Sequence, residues 1–379
     1  MIRVAVRGAG PFGGIYKGKT VLVTGHTGFK GSWLSLWLSD LGANVVGYAL
    51  DPPTDPCAYA AMRLGERVTD VRGDVRDAAK LAATVAEHRP DAVFHLAAQA
   101  LVRASYAEPA YTYETNVMGT VNLLEAVRAA DSVGAFLNVT SDKCYENREW
   151  VYAYREIDPM GGYDPYSSSK GCAELVTSAY RRSFFSAEEG ARIASARAGN
   201  VIGGGDWAPD RLIPDCVRAL TAGESILVRN PTAVRPWQHV LEPLSGYLML
   251  AARMLEGDAG LDAAWNFGPG KFGNVTVADV VGDFVKRWGG GTWHSPEDAG
   301  AQPHEARTLK LDITKAADIL GWQPVWGISR AVDATAEWYR RFAHAEGDPV
   351  LHALDQIDEY VSDAAQLGVS WALDHEQEG

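Results

Sequence analysis

Cysteine is scarce in this chain, with four among 379 residues. Cys57, Cys144, Cys172 and Cys216 are widely scattered with no C-x-x-C pair, which argues against a disulfide framework or a zinc site and for reduced thiols. No His, Cys and Asp cluster has metal-ligand spacing either, so no metal is expected. Long apolar runs are missing as well. No stretch of about 18 uncharged apolar residues exists, so no membrane-spanning helix is expected, and the N-terminus lacks a signal-peptide pattern, which places the expected location in the cytoplasm. Basic residues are outnumbered: 35 Lys and Arg against 48 Asp and Glu leave a net charge of −13, which argues against a nucleic-acid partner. Internal repeats and low-complexity segments are absent too.

The acidic excess sits largely at one end. After Arg341 come Glu346, Asp348, Asp355, Asp358, Glu359, Asp363, Asp374, Glu376 and Glu378, with no Lys or Arg. The apolar positions Leu351, Leu354, Ile357, Val361 and Leu367 predict that residues 345–379 contain an acidic amphipathic helix, docked on the body or on a partner subunit.

Hydrophobic residues are plentiful, at 47%, enough for one large α/β domain and a smaller lobe. Strands are expected over Thr20–Thr24, Asn44–Leu50, Val68–Arg72, Ala92–Leu96, Gly134–Ser141 and Ile193–Ala198. Between them helices are expected over Phe29–Leu41, Asp77–His88, Pro109–Ala130 and Tyr166–Phe185, the third with Val117, Val121, Leu124 and Val127 on its apolar stripe. Short apolar strands alternating with amphipathic helices predict an α/β fold, a Rossmann-type doubly wound parallel sheet over residues 19–200. Ligands of such sheets bind at the carboxyl ends of the strands. Beyond Asn200 the run Gly203–Gly205 and Pro209, Pro214, Pro231 and Pro236 punctuate shorter elements. A smaller C-terminal α/β substrate-binding lobe, interleaved with returning sheet strands, is expected over residues 201–344.

Two glycine clusters compete for the role of phosphate loop. Gly8, Gly10 and Gly13 match G-x-G-x-x-G, but that motif works only where a helix follows it. Here Lys17, Gly18, Lys19 and the next strand arrive within a few residues, so residues 1–18 read as an extension without function. The run Gly25-His-Thr-Gly28-Phe-Lys-Gly31 follows a strand and opens a helix, and its spacing lets backbone amides approach a pyrophosphate where a side chain would collide. Asp51 lies just after the second strand, where an acid can accept hydrogen bonds from a ribose. No Lys or Arg flanks Asp51 in sequence to meet a 2′-phosphate, which favours NAD over NADP.

Downstream, Tyr166-Ser-Ser-Ser-Lys170 places a phenol and an ammonium on one helix face. A free tyrosine titrates near about 10, so bringing it to about 7 takes roughly 4 kcal/mol. One nearby cation supplies about 1 to 3 units. An oxidised nicotinamide ring is expected to supply the rest, so the pair points to hydride chemistry.

These residues, with Asp74-Val75, His95-Leu-Ala-Ala-Gln99 and Asn116-Val-Met-Gly-Thr120, resemble the extended short-chain dehydrogenase/reductase superfamily. Within it the chain is similar to the CDP-glucose 4,6-dehydratases. The segments that carry this are His26–Lys30, Gly47–Thr54, Val139–Asn147, Arg197–Trp207, Arg235–Val240, His304–Ala306 and Leu311-Asp312, and the similarity spans Lys19 to Tyr339. The resemblance implies an NAD-dependent hydro-lyase acting on a nucleotide sugar, its cofactor tightly bound and regenerated in each turnover. It implies that Gly25, Thr27, Gly28, Phe29, Lys30, Gly31, Asp51, Asp74, Val75, Leu96, Ala97 and Ala98 hold NAD together with Tyr166 and Lys170. Tyr166 would take the 4-hydroxyl proton, Ser141 would orient that hydroxyl, and Asp142 would protonate the leaving 6-hydroxyl. Lys143 stands where thymidine-sugar dehydratases carry a glutamate base; it would act as the C5 base or stabilise the enolate. Gln99, Arg103, Asn200, Arg211 and Arg235 would meet the substrate, with Arg307 a weaker candidate. A homodimer through the helices at 109–130 and 166–185 is implied, with a tetramer as the alternative. A nucleotide-sugar 4-epimerase would share the glycine turn, Tyr166 and Lys170, but would not need Asp142.

Overall fold

The computed structural model describes residues 10–185, 190–270, 273–296 and 308–373. At its centre lie β1 (Thr20–Thr24), β2 (Asn44–Ala49), β3 (Thr69–Arg72), β4 (Ala92–His95), β5 (Ala135–Val139), β6 (Arg192–Ala198) and a seventh strand, Ala264–Phe267, contributed by the C-terminal half. Across the sheet the order is Ala264–Phe267, β6, β5, β4, β1, β2, β3, and every neighbouring pair is parallel. A parallel sheet is covered on both faces, so its strands read as continuous apolar runs, as in the wholly buried β4 and β5. Strand order reverses between β1 and β4, which puts the ligand crevice outside their carboxyl ends. His95, at the end of β4, is bonded to Thr24 (2.7 Å) and Thr120 (3.2 Å). Burial pushes its imidazole down to about 3, so it is a neutral core residue.

One face of the sheet is covered by the helix Ala78–His88 and by the helical stretches Pro109–Ala129 and Pro165–Phe184. The second of these was expected as one regular helix. It winds a π turn over Glu114–Met118, and the extra residue rotates the buried face, so that Asn116 and Thr120 are buried while Val117 and Val121 are only half-buried. The other face is covered by α1 (Phe29–Asp40) and the buried helix Leu241–Leu255. Trp33, Leu34, Leu36, Trp37 and Leu38 are all buried, so α1 is enclosed on every side. Three two-stranded ribbons, Val201–Ile202 with Gln238–His239, Val234–Pro236 with Asn274–Thr276, and Ile226–Leu227 with Trp293–His294, join the helices Leu212–Thr221 and Val277–Trp288 in the smaller lobe.

Both ends of the described chain pack into the body. Gly8 lies outside the described residues, and among the described residues Pro11–Gly14 forms a short 3₁₀ turn with no α-helix between it and β1. The segment nonetheless belongs to the core: Phe12 stacks on Trp371 at 4.8 Å, and Tyr16 donates to the Leu248 carbonyl at 2.5 Å. Large aromatics this close to the body are buried wherever a groove admits them. The tail helix, Pro349–Gln366, docks on the body against α1 and the helix Ile328–Ala343. Val350, Ala353, Leu354, Ile357, Tyr360 and Ala364 form its buried face, whereas Leu351, which falls off that 3.6-residue stripe, and Leu367, the cap past the last helical residue, are exposed. Asp374, Glu376 and Glu378 lie outside the described residues.

The tail is locked by a buried carboxylate. Glu242 accepts from the backbone of Val325 (3.0 Å) and Trp326 (2.6 Å) and from Tyr360 Oη (2.9 Å). Burial outweighs these donors and pushes its pKa up from 4.5 to about 7. A raised carboxyl pKa contributes stability that is full below 4.5 and lost as pH rises through about 7. Tyr360→Phe is expected to lower the unfolding free energy by about 1–3 kcal/mol in urea titrations. Across that pH window, the stability of the wild type relative to Glu242→Gln should fall by more than about 1 kcal/mol; a flat difference would remove the assignment.

Candidate active site

The turn after β1 is built without side chains where β4 crosses it. Gly25 has φ +77°, and a Cβ there would lie 2.8 Å from the Ala97 nitrogen; a Cβ on Gly31 would lie 2.1 Å from the Gly25 carbonyl oxygen. Gly28 is the extended residue at the start of α1, and no side chain among the described residues caps that end. Its first-turn amides are thus left for an anion, which the helix dipole also favours. Leu96, Ala97 and Ala98 run beside this turn, with Leu96 N bonded to Thr24 O at 3.1 Å. The cradle fits the pyrophosphate of a dinucleotide. Thr27 turns away from it, donating to Leu50 O at 3.0 Å.

At the far end of the cradle the sequence reading needs one correction. Asp51 is 93% exposed, as a ribose acceptor must be, but Arg72 Nη1 lies 3.7 Å from it. The β2–β3 register pairs Ala49 with Arg72, which brings up a cation that linear sequence hides. That guanidinium is also bound to Asp70 at 2.8 Å and to Leu50 O at 3.1 Å. Asp74 is held by Arg76 through its side chain at 2.7 Å and its backbone at 2.9 Å, and hydrogen bonding from Arg76 keeps its carboxyl below the usual range. Val75 is buried against Gly119.

On the other side of the crevice, β5 ends at Val139 and the chain turns. Ser141, extended at φ −152°, caps a 3₁₀ turn over Asp142–Cys144. Consecutive strand residues would face opposite ways; the turn instead brings Ser141 Oγ to Asp142 Oδ1 at 3.0 Å and Lys143 Nζ to the same oxygen at 3.8 Å. Asp142 is 1% exposed, and its Oδ2 has no hydrogen-bond partner among the described residues. A buried carboxylate oxygen left open is costly unless something else is to meet it.

Tyr166 enters from the helix Pro165–Phe184, which starts there because Asp164 accepts from Ser167 N at 2.9 Å and Pro165 occupies the first turn. Burial raises the phenol, Lys143, hydrogen bonding from Ser141 and Arg211 lower it, and Asp142 raises it. Lys170 stands one helical turn beyond Tyr166, and its ammonium donates to the Val139 carbonyl at 3.3 Å. Burial lowers Lys170 to about 8, against the pull of Glu174 and Cys144. Lys30, in the first turn of α1, is lowered to about 7 by burial and then by Arg211 and Lys170; Asp142 opposes this and Lys143 adds to it. Lys143, Lys170 and Arg211 thus gather around Lys30 with Asp142 opposing them, a pocket suited to a polyanion.

The expected substrate residues divide. Arg211 opens the helix Leu212–Thr221 and is held by Asp206 at 3.0 Å. Asn200 Oδ1 is buried with no partner among the described residues. Arg235 is buried and donates to Val234 O at 3.0 Å. Gln99 is oriented by its carboxamide, bonded to Thr112 at 2.9 Å and Leu101 N at 2.6 Å. Arg103 pairs with Asp210 at 3.5 Å, bridging the domain to the lobe. His304–Ala306 and Arg307 lie outside the described residues.

A family model described as GDP-mannose 4,6 dehydratase matches residues 22–335. The chain belongs to this family. It is 51% identical to a CDP-glucose 4,6-dehydratase of Salmonella typhimurium, over 92% of this chain and 97% of that one. It is 30% identical to a dTDP-glucose 4,6-dehydratase of Streptomyces antibioticus, over 84% and 92% of the two chains. Among solved structures, a dTDP-glucose 4,6-dehydratase of Streptomyces venezuelae with NAD and TYD bound superposes with a TM-score of 0.72 at 27% identity, covering 87% of this chain and 99% of that one.

Within this dehydratase, sequence reasoning missed the residues that hold the reactive ones. Glu174 bonds Thr140, Ser195 and Arg197, and Asp206 orients Arg211. Glu174 carried a readable signal, an acid four residues after Lys170 on the same helix face, and Asp206 stands only five residues before Arg211; Arg72 meets Asp51 through cross-strand register. Gly31→Ala should raise the dissociation constant for NAD at least tenfold, about 1.4 kcal/mol, read by calorimetry. Gly282→Ala, where a Cβ meets nothing within 4 Å, should leave it unchanged; equal affinities in both variants would exclude the cradle.

Proposed function

We propose that the enzyme is a CDP-glucose 4,6-dehydratase, eliminating water from CDP-glucose to give CDP-4-dehydro-6-deoxy-D-glucose. The observation that carries this reading is the buried Asp142 carboxylate, open on one oxygen beside Tyr166, since a 4-epimerase has no leaving hydroxyl to protonate. The 51% identity to a CDP-glucose 4,6-dehydratase supports the choice of nucleotide.

Bound at the glycine turn, NAD would supply the acceptor for the C4 hydride and its return to C6. Gly25, Gly28 and Gly31 would leave the amides of Phe29 and Lys30 open to its diphosphate, Asp51 would meet the ribose, and Asp74, Val75 and Leu96–Ala98 would complete the groove. Ser141 orients the 4-hydroxyl and Tyr166 removes its proton, with Lys170, one helical turn along, as its redox partner and Lys143 and Arg211 favouring the phenolate against burial. The resulting ketone acidifies the C5 proton. Lys143 serves that step, as base or as the charge that stabilises the enolate. Asp142 protonates the 6-hydroxyl as it leaves. Arg211 and Arg235 hold the substrate diphosphate, with Arg103 at the rim, and Asn200 contacts the sugar or diphosphate.

The same reading includes a homodimer. Tyr113, Met118, Leu175 and Phe184 are exposed apolar residues on the helical stretches Pro109–Ala129 and Pro165–Phe184, an arrangement suited to a four-helix contact between two copies. Among the described residues no helix is long and apolar enough to cross a membrane, and the cytoplasm is the compartment we assign.

Following one atom tests the reaction. Deuterium at sugar C4 should reappear at C6 of the same molecule by mass spectrometry and NMR; its return to C4 in an inverted sugar would establish an epimerase. Asp142→Asn should lower product formation by about 10²–10⁴-fold while reduced-nicotinamide absorbance builds up on adding CDP-glucose. Normal turnover in that variant would remove Asp142 from the mechanism, and better turnover of dTDP-glucose by the wild type would overturn the nucleotide assignment.

A further inference from the structure

Beneath the reactive turn lies a charged network to which the reaction above gives no part. Tyr166, Lys170 and Glu174 follow one another at four-residue steps on one face of their helix. Glu174 is buried and both its oxygens are engaged: Thr140 donates to Oε1, while Ser195 and Arg197 each donate to Oε2 at 2.7 Å. Arg197, buried too, donates to Tyr145 Oη at 2.7 Å, and Tyr145 donates to Asn266 Oδ1 at 2.7 Å. One carboxylate therefore ties together the end of β5, the middle of β6 and, through Arg197 and Tyr145, the seventh strand.

Taking two charges out of water costs several kcal/mol per ion, and a pair of this kind often adds no more stability than apolar residues of the same volume. Its placement is more telling. Thr140, bonded to Glu174, immediately precedes Ser141 and Asp142. Lys170, one turn before Glu174, is a buried ammonium whose charge burial opposes and Glu174 supports. The other described groups that bear on Lys170 are Cys144, from the turn after β5, His95 from β4 and Lys30 from α1. Burial raises the Cys144 thiol and lowers the His95 imidazole, leaving both neutral. Lys30 repels Lys170 when charged. Among these described groups Glu174 is the anion, kept below the usual carboxyl range by Arg197 and its three hydrogen bonds despite burial.

We propose that Glu174 is a positioning residue for the reaction: through Thr140 it fixes the turn that carries Ser141 and Asp142, and through its charge it keeps Lys170 an ammonium for the tyrosine step. This rests on the reading of Tyr166 and Lys170 as the redox pair.

The test is the pH profile of CDP-glucose turnover. Loss of the Lys170 proton forms the alkaline limb, so in Glu174→Gln that limb should move toward acid by about one pH unit, with NAD affinity within twofold of wild type. Glu174→Asp keeps the charge on a shorter arm; its limb should stay in place while kcat falls. Should Glu174→Gln not fold because Arg197 is left buried and unpaired, the double variant Glu174→Gln/Arg197→Met decides, since it removes both charges of the pair and leaves neither buried alone. An unmoved limb in the folded neutral variant overturns the proposal, and so does a limb moved equally in Glu174→Asp. Absence of wild-type turnover would fault the reaction reading alone. The Lys170 charge would then be read without substrate, from the pH at which its amine becomes half-reactive to acetic anhydride by peptide mass spectrometry, with the same shift expected.

Discussion

Where and how β5 stops sets the chemistry of this molecule. One residue past Val139 the backbone is still bound to β6, through Thr140 N and Ala196 O at 2.8 Å, and then it turns under the cap of Ser141. A strand continued through Asp142 would send Ser141 and Asp142 to opposite faces of the sheet. Lys170 reads the same ending from the other side, since its ammonium donates to the Val139 carbonyl. Both reacting segments, one on a strand end and one on a helix, are thus referred to a single peptide group.

A second constraint is electrostatic. The chain carries −13 overall, yet its crevice gathers Lys170, Lys143 and Arg211 around Lys30, with Asp142 opposing them. Burial, then repulsion from Arg211 and Lys170, brings Lys30 down to about 7, while burial brings Lys170 to about 8 against the pull of Glu174 and Cys144. Such crowding is tolerable where an anionic ligand completes the charge balance. Acids placed elsewhere, as on the tail helix, set the overall charge without entering the crevice.

Much of this was legible in the sequence, for local reasons. β1 is a run of apolar residues followed by a glycine turn, and its limits were read to the residue because nothing distant is needed to define them. The strand at 134–141 was read two residues too long at its carboxyl end, since Thr140 and Ser141 leave regular pairing for a turn that only β6 and Glu174 specify. Arg72 escaped notice beside Asp51 because cross-strand register joins them. The bonds that hold Gln99, to Thr112 and Leu101 N, come from how the following helices fold back and could not be read from its motif. In the tail, the choice between Leu351 and Val350 for the buried face turned on a 100° rotation that apolar character alone does not fix.

Phe12 and Trp371 lie face to face, 4.8 Å apart, with Trp37 packed edge-on to both. The described chain therefore closes on itself like a buckled belt. A circular permutant that joined these two segments through a short linker and opened an exposed loop elsewhere would keep the sheet, the crevice and the aromatic clasp intact. A bulky fusion placed directly against either aromatic would instead prise the buckle open, and with it the cover over α1.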